Sequence, residues 1–279
     1  TENSTEAASE AVTSEPAKST TVFDTSKCYA YTTLNADEKE IYAEIYDILN
    51  GMKSDVRLST LDTEATDRCF NCVMLDHPEI FYVSGYRLTT YTLAGKLTYI
   101  ALSGKYTMDS AERDRRKALI DSCVNACLAG VPAGTDEYTR VKYVYDYIVG
   151  HTDYVADAPD SQNICSVFIN GKSVCQGYTM ATKYLLDKMG IFCTVVYGSA
   201  NGVSHAWNLV KADGVYCYVD TTWGDASYRS ATDGSTFNKT NYNYLGADSA
   251  ILNETHTVSS TVELPACDSL ASYYFVREG

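Results

Sequence analysis

Positive charge is scarce in this chain: 22 Lys and Arg stand against 36 Asp and Glu, for a formal net charge of −14. A surface that binds phosphate backbones needs a basic patch, and no convincing Lys/Arg cluster occurs, so nucleic acid is excluded as a partner. No apolar run approaches the ~20 residues needed to cross a hydrocarbon core, so no transmembrane segment is expected. No EF-hand pattern and no internal repeat is visible. Histidine is limited to four, and His151 and His256 have no Cys or carboxylate at metal-like spacing. Neither a metal nor a cofactor is expected.

Aromatic residues are missing from the first stretch as well. Thr1 to Thr21 is almost all Ser, Thr, Ala and Glu with one proline. Such a segment cannot bury enough apolar surface to offset its ordering entropy, so residues 1–22 are expected to be a disordered linker. With no initiator Met and no apolar signal core, the expectation is a chain whose signal or lipoprotein leader has been removed, its folded part held outside the cell or at its surface.

What is present is a core-forming chain. Apolar residues make up 45% of 279, enough for one large domain or a catalytic domain with a smaller companion. Asn35 with Glu38 reads as a capping box before the stripe Ile41, Ile45 and Leu49, and Gly51 closes that helix. A helix over Asp62 to Leu75, strands over Phe81 to Tyr86 and Lys96 to Leu102, and a long helix from Ser110 to Leu128 follow. Residues 23–133 are therefore read as an α+β region without evident chemistry, and residues 134–279 as the catalytic domain. That second part opens with a helix from Thr135 whose inner face is Tyr138, Val141, Tyr145 and Ile148.

Ten cysteines leave three readings open: buried free thiols, disulfides, or zinc. Cys69 with Cys72 and Cys123 with Cys127 each share a helix face, and Cys28 could pair with Cys267.

Cys175 is different. It lies in Gly171-Lys-Ser-Val-Cys-Gln-Gly177, where an amphipathic helix begins. A helix N-terminus favours thiolate through its unpaired N–H groups and its dipole. His205 follows in a strand-like run, and Asp220 ends another. The Asp213-Gly214 pair is a hairpin signal joining those two strands, which would set His205 and Asp220 near the same end of neighbouring strands. A thiol, an imidazole and a carboxylate so arranged supply nucleophile, base and orienter for acyl transfer through a thioester. The Cys175 backbone N–H would be one oxyanion donor, and Gln162, in the loop upstream, is the candidate for a second. Taken singly, each residue has a plainer reading: a packed thiol, a satisfied strand histidine, a turn-forming aspartate.

Gly-Lys-Ser-Val-Cys-Gln-Gly-Tyr, His-Ala-Trp-Asn-Leu-Val and Tyr-Val-Asp-Thr-Thr-Trp resemble the three motif blocks of the transglutaminase-like superfamily, and in particular bacterial proteins related to its cytokinesis-type branch. Thr221 stands where the family often has proline. The resemblance implies a papain-like α+β core with the Cys on a helix packed against an antiparallel sheet, and carries Cys175, His205 and Asp220 over as the catalytic triad. It also implies a cysteine peptidase, amidase or protein-glutamine acyltransferase acting on protein or peptide substrates, cell-wall peptide among them, with hydrolysis slightly favoured over cross-linking. Members that have lost the cysteine act as binding modules, so the alternative is a catalytically silent surface interaction module. The calcium dependence of animal transglutaminases is not expected here.

Overall fold

The computed structural model describes residues 5–8, 19–229 and 236–279. Within the Ser/Thr/Glu-rich segment, Thr5–Ala8 pairs in parallel with Leu88 to Tyr91, and residues 1–4 and 9–18 lie outside the described residues. The chain divides into two compact units, Thr1–Arg115 and Arg116–Gly279.

In the first unit, helix α1 (Ala36–Asn50) starts at the expected capping box: Asn35 accepts from the Glu38 N–H, and the Glu38 carboxylate accepts from the Asn35 N–H, both at 3.0 Å. Two of the four donors that a helix start leaves orphaned are thereby satisfied. Helix α2 (Thr63–Asp76) is capped by Asp62 and packs on α1. Strands β1 (Val83–Leu93) and β2 (Lys96–Tyr106) form an antiparallel pair. Both run further than the alternation suggested, because Gly85 and Gly104 lie inside the strands instead of ending them. Gly85, at φ 154°, sits where the register shifts, a bulge position suited to a residue without Cβ.

Helix α3 (Ser110–Ala129) spans the division. In the second unit, α4 (Glu137–His151) buries Tyr138, Val141, Val144, Tyr145 and Ile148, a 3.6-residue stripe. Helix α5 (Cys175–Lys188) is the central element and packs against α4 and a five-stranded sheet. The sheet is antiparallel throughout. Its strands are β3 (Cys193–Ala200), β4 (Val203–Ala212), β5 (Val215–Val219), β6 (Leu245–Ala247) and β7 (His256–Val258), ordered β6-β5-β4-β3-β7. This is the papain-like α+β arrangement, a cysteine-bearing helix laid on an antiparallel sheet.

Two-residue turns set the sheet's register. Asp213 and Gly214 have φ of 50° and 82° between β4 and β5, and Asn201 and Gly202 have 48° and 78° between β3 and β4. Both are type I′ conformations, whose twist matches the flanking strands. Trp207, Val196 and Leu209 anchor the core beneath the sheet, each fully buried. Burial of such side chains contributes on the order of 2 kcal/mol apiece.

All ten cysteines are free thiols. Cys28 and Cys267 belong to different units and are not bridged; Cys28 lies 3.9 Å from His77 Nε2, and Cys267 contacts the Pro265 carbonyl. Cys69, Cys72 and Cys127 are buried, with burial pushing each thiol's pKa up, and the Cys69 thiol donates to the Glu38 carbonyl at 3.3 Å. The Cys123 thiol donates to the Phe168 carbonyl. None of these residues joins a potential cation-binding group among the described residues.

Candidate active site

Cys175 is the first residue of α5, with Val174 as an extended N-cap lacking a side-chain cap. Two residues later, Gly177 explains the glycine in this motif. A Cβ there would lie 2.0 Å from Ser173 Oγ, 2.4 Å from Ser166 Oγ and 3.0 Å from the Ser161 carbonyl. The helix start is thus pressed against the preceding segment, where Ser166 and Ser173 hydrogen-bond each other at 2.7 Å. Gln162 directly follows Ser161 in a turn and is exposed.

His205 and Asp220 come from neighbouring strands. His205 lies near the start of β4, and Asp220 follows β5 and caps the short helix α6 (Thr221–Gly224), accepting the Trp223 N–H on Oδ1 at 3.0 Å. His205 Nε2 meets Asp220 Oδ2 at 2.8 Å, with the carboxylate 1% exposed and the histidine 8% exposed. The β4–β5 hairpin therefore brings the pair together as its turn signal implied. Thr221 is buried and its hydroxyl shares a hydrogen bond with Thr182 of α5, so the residue standing in place of proline ties α6 to the cysteine-bearing helix.

The electrostatics are coupled. For Cys175 the largest single influence is burial, which opposes ionisation. Hydrogen bonding to the His205 side chain, its positive charge and the N–H groups of Ala206 and Gln176 together outweigh that burial, so the thiol's pKa falls below its ordinary value. For His205, burial also works against charge, but Asp220 and Cys175 overcome it and raise the imidazole to about 9. Asp220 is held below the usual carboxylate range: burial raises its pKa, while hydrogen bonds from His205 and His256, the His205 charge and the Trp223 N–H lower it further than burial lifts it. His205 Nε2 is the ring nitrogen engaged by Asp220.

His256 belongs here, and the sequence offered no sign of it. Its Nε2 lies 3.1 Å from the same Asp220 Oδ2, and it is 2% exposed. It comes from β7, which pairs with β3 at the far side from β5. His205, Asp220 and His256 place one donor atom each within 4.8 Å of one another. Both imidazoles hydrogen-bond one carboxylate oxygen, which satisfies the trio internally. Around the thiol, the Tyr197 hydroxyl accepts from Gln176 Nε2 at 2.9 Å, and Tyr154 and Tyr197 both feel the Cys175 charge, each having its pKa raised first by burial and then by that charge. Asp225 accepts from the Tyr178 hydroxyl at 2.7 Å and the Tyr154 N–H at 3.2 Å.

The remaining histidines have local partners. His77 ends α2 and bonds Tyr42 and Glu79 in the first unit. His151 bonds the Tyr147 carbonyl of its own helix. Among the described residues, no helix is long and apolar enough to cross a membrane.

Mouse kyphoscoliosis peptidase is 25% identical over 35% of this chain, and the match takes in 17% of that protein's length. Among solved structures, a TGase aligns at TM-score 0.36 and 15% identity over 53% of this chain and 54% of its own. A candidate cysteine protease from Cytophaga hutchinsonii does so at TM-score 0.34 and 12% identity, over 48% and 61%. The family model of the transglutaminase-like superfamily matches residues 128–221, a span that contains Cys175, His205 and Asp220. In residues 128–221 this chain is similar to the transglutaminase-like core.

Proposed function

We propose that the protein is a thiol-dependent acyl-transfer enzyme in which Cys175 is the nucleophile, His205 the general base and acid, and Asp220 the orienting carboxylate. The observation that carries this reading is the 2.8 Å hydrogen bond between His205 and the buried Asp220, and the lowered pKa of the Cys175 thiol that opens α5 is consistent with it. The Cys175 thiolate attacks the carbonyl carbon of a glutamine carboxamide or peptide bond. The oxyanion forms beside the Cys175 N–H at the start of α5, with Gln162 as a second donor from the adjoining turn. His205 delivers its proton to the leaving ammonia or amine, and a thioester remains. His205 then deprotonates the acceptor that releases the acyl group.

Hydrolysis is favoured slightly over cross-linking, with protein or cell-wall peptide as substrate. Asp225 beside Tyr154 and the net charge of −14 suit basic or amine-bearing chains. The acidic, Ser/Thr-rich first segment supports a place outside the cell or at its surface; native protein fractionating wholly with the cytosol overturns that placement.

The test combines two measurements on the full chain. Alkylation of Cys175 by iodoacetamide near pH 6, read by peptide mass mapping, should outpace that of an ordinary thiol. Incubation with a glutamine-donor peptide and a fluorescent amine should release ammonia or peptide fragments, with any amine incorporation lost in Cys175→Ala. A thiol no more reactive than free cysteine, with partner binding unchanged in Cys175→Ala, returns the chain to the interaction-module reading.

A further inference from the structure

His256 lies beyond the residues that match the family, on a different edge of the sheet, and yet shares the carboxylate oxygen that His205 uses. Its placement follows from the strand register. Gly198 of β3 pairs with His205 on one side and Val258 on the other, so His205 and His256 project from the same sheet face. A Cβ at Gly198 would lie 2.0 Å from the Thr257 carbonyl and 2.7 Å from the Trp207 ring, so only glycine lets β7 approach this closely. Trp207, Trp223 and Tyr244 enclose the His256 ring at centroid distances of 4.9, 4.8 and 5.3 Å.

The hydrogen bonds have one self-consistent direction. An ionised Asp220 only accepts, so both Nε2 atoms bear protons directed at Oδ2. His256 Nδ1 then accepts from the Thr255 hydroxyl at 2.8 Å, and Thr255 Oγ1 in turn accepts from the Tyr244 hydroxyl at 3.1 Å. Every polar atom in this buried chain is satisfied, and the His256 tautomer is set from outside the site.

We infer that His256 is a positioning residue of this site: its Nε2–H holds Asp220 Oδ2 and divides that oxygen between two imidazoles, restraining the carboxylate's pull on His205. The inference rests on the proposed roles of His205 and Asp220. With two donors on one oxygen, Asp220 stays ionised while gripping the His205 proton less tightly than it would alone. An imidazolium held less tightly gives its proton to a leaving amine more readily. The titratable groups facing His256 are Asp220 and His205 on the sheet face and Tyr244 beyond Thr255; Cys175 lies past His205, and Glu254 is exposed.

The experiment compares the full chain with His256→Ala and His256→Gln, the latter keeping an N–H donor at similar reach. Cys175 alkylation by iodoacetamide is followed against pH, alongside turnover of a glutamine-donor peptide, with thermal melts to verify folding. In His256→Ala, kcat should fall about tenfold or more with little change in KM, as expected for a lost hydrogen bond to a charged group. The alkaline inflection of the alkylation profile should move upward from about 9. His256→Gln should recover most of both losses. A purely structural histidine would lower the melting temperature and leave the inflection and the kcat-to-KM split unmoved; that result, or His256→Gln behaving like His256→Ala while folded, overturns the inference. Wild-type protein with an ordinary thiol profile instead removes the proposed function itself, so the two failures are distinguishable.

Discussion

His205 and Asp220 meet at 2.8 Å although they are not cross-strand partners. Asn208 pairs with Val219, so Asp220 sits diagonally from His205 on the same face of the sheet. The offset lets one carboxylate oxygen reach the imidazole while the other caps α6. Burial makes that contact strong, because a charge pair screened from water interacts far more strongly than an exposed one. Under the proposed function, this pair would hold a His205 imidazolium beside a Cys175 thiolate at rest.

That resting state predicts a pH window. The Cys175 pKa lies below its ordinary value, so thiolate should persist at acidities where a free thiol, of pKa about 8.5, is almost wholly protonated. His205 is raised to about 9, so the imidazolium is present below that pH and lost above it. Alkylation of Cys175 should therefore plateau across neutral pH and change again near about 9, and kcat/KM for an amide substrate should fall as pH rises through the same value. Stopped assays at fixed ionic strength read both. A single rise centred near about 8.5 would falsify the ion pair.

Asp220→Asn isolates the carboxylate. Asparagine can still accept the Trp223 N–H through its carbonyl, preserving the cap on α6. Its amide N–H groups would then face the Nε2–H of both histidines, forcing at least one imidazole to change tautomer. Without the charge, the imidazolium loses its main support and the thiol's pKa climbs. The expected cost is on the order of 10²–10⁴ in kcat with a fold intact by circular dichroism. A loss under about tenfold means Asp220 does not orient His205.

Local signals made much of this legible in the sequence. The Asn35–Glu38 box is a contact within a single turn, and it formed; Asp62 and Asp136, read as residues inside their helices, cap them instead. The Asp213-Gly214 turn implies the β4–β5 hairpin, and the hairpin implies the His205–Asp220 meeting. Asn201-Gly202 carries the same turn signal for β3 and β4 and was open to the same argument. His256 was not legible, because it lies 36 residues beyond Asp220 and reaches it only through the pairing of β7 with β3. No periodicity encodes a long-range edge pairing. Gly198 is the one local trace of it, and a lone glycine inside a strand signals close backbone approach without saying to what.

Gly177 is a position where packing and chemistry meet. Gly177→Ala would drive a methyl into Ser173 and Ser166 and against the Ser161 carbonyl, separating the hydroxyls that bond at 2.7 Å. Overpacking of this kind costs about 1–3 kcal/mol, and the segment displaced is the one that sets the start of α5. The variant should unfold at lower denaturant concentration and also alkylate more slowly at Cys175 below neutral pH, because the thiol leaves the His205 and Ala206 N–H donors. Loss of stability with an unchanged alkylation profile would show that the helix start is insensitive to this loop.

The same ionisations link stability to pH. His205, raised from 6.5 to about 9, contributes stability that is fully present below about 6.5 and lost as pH rises through about 9. At ~1.4 kcal/mol per unit, the shift corresponds to no more than about 3–4 kcal/mol, shared with Asp220 and Cys175 since the three titrate together. Asp220 has the opposite sign: its lowered pKa contributes stability above about 4, lost as pH falls through its folded value. The buried thiols Cys193 and Cys217, whose pKa values burial pushes up, add their own decline above about 9. Subtracting the curve of His205→Gln cancels that decline and isolates the His205 contribution. Urea midpoints from pH 5 to 10 should therefore converge for the two proteins as pH passes about 9, with wild type ahead at neutrality. Parallel curves across that range would mean that the His205 charge carries no net stability in the folded chain.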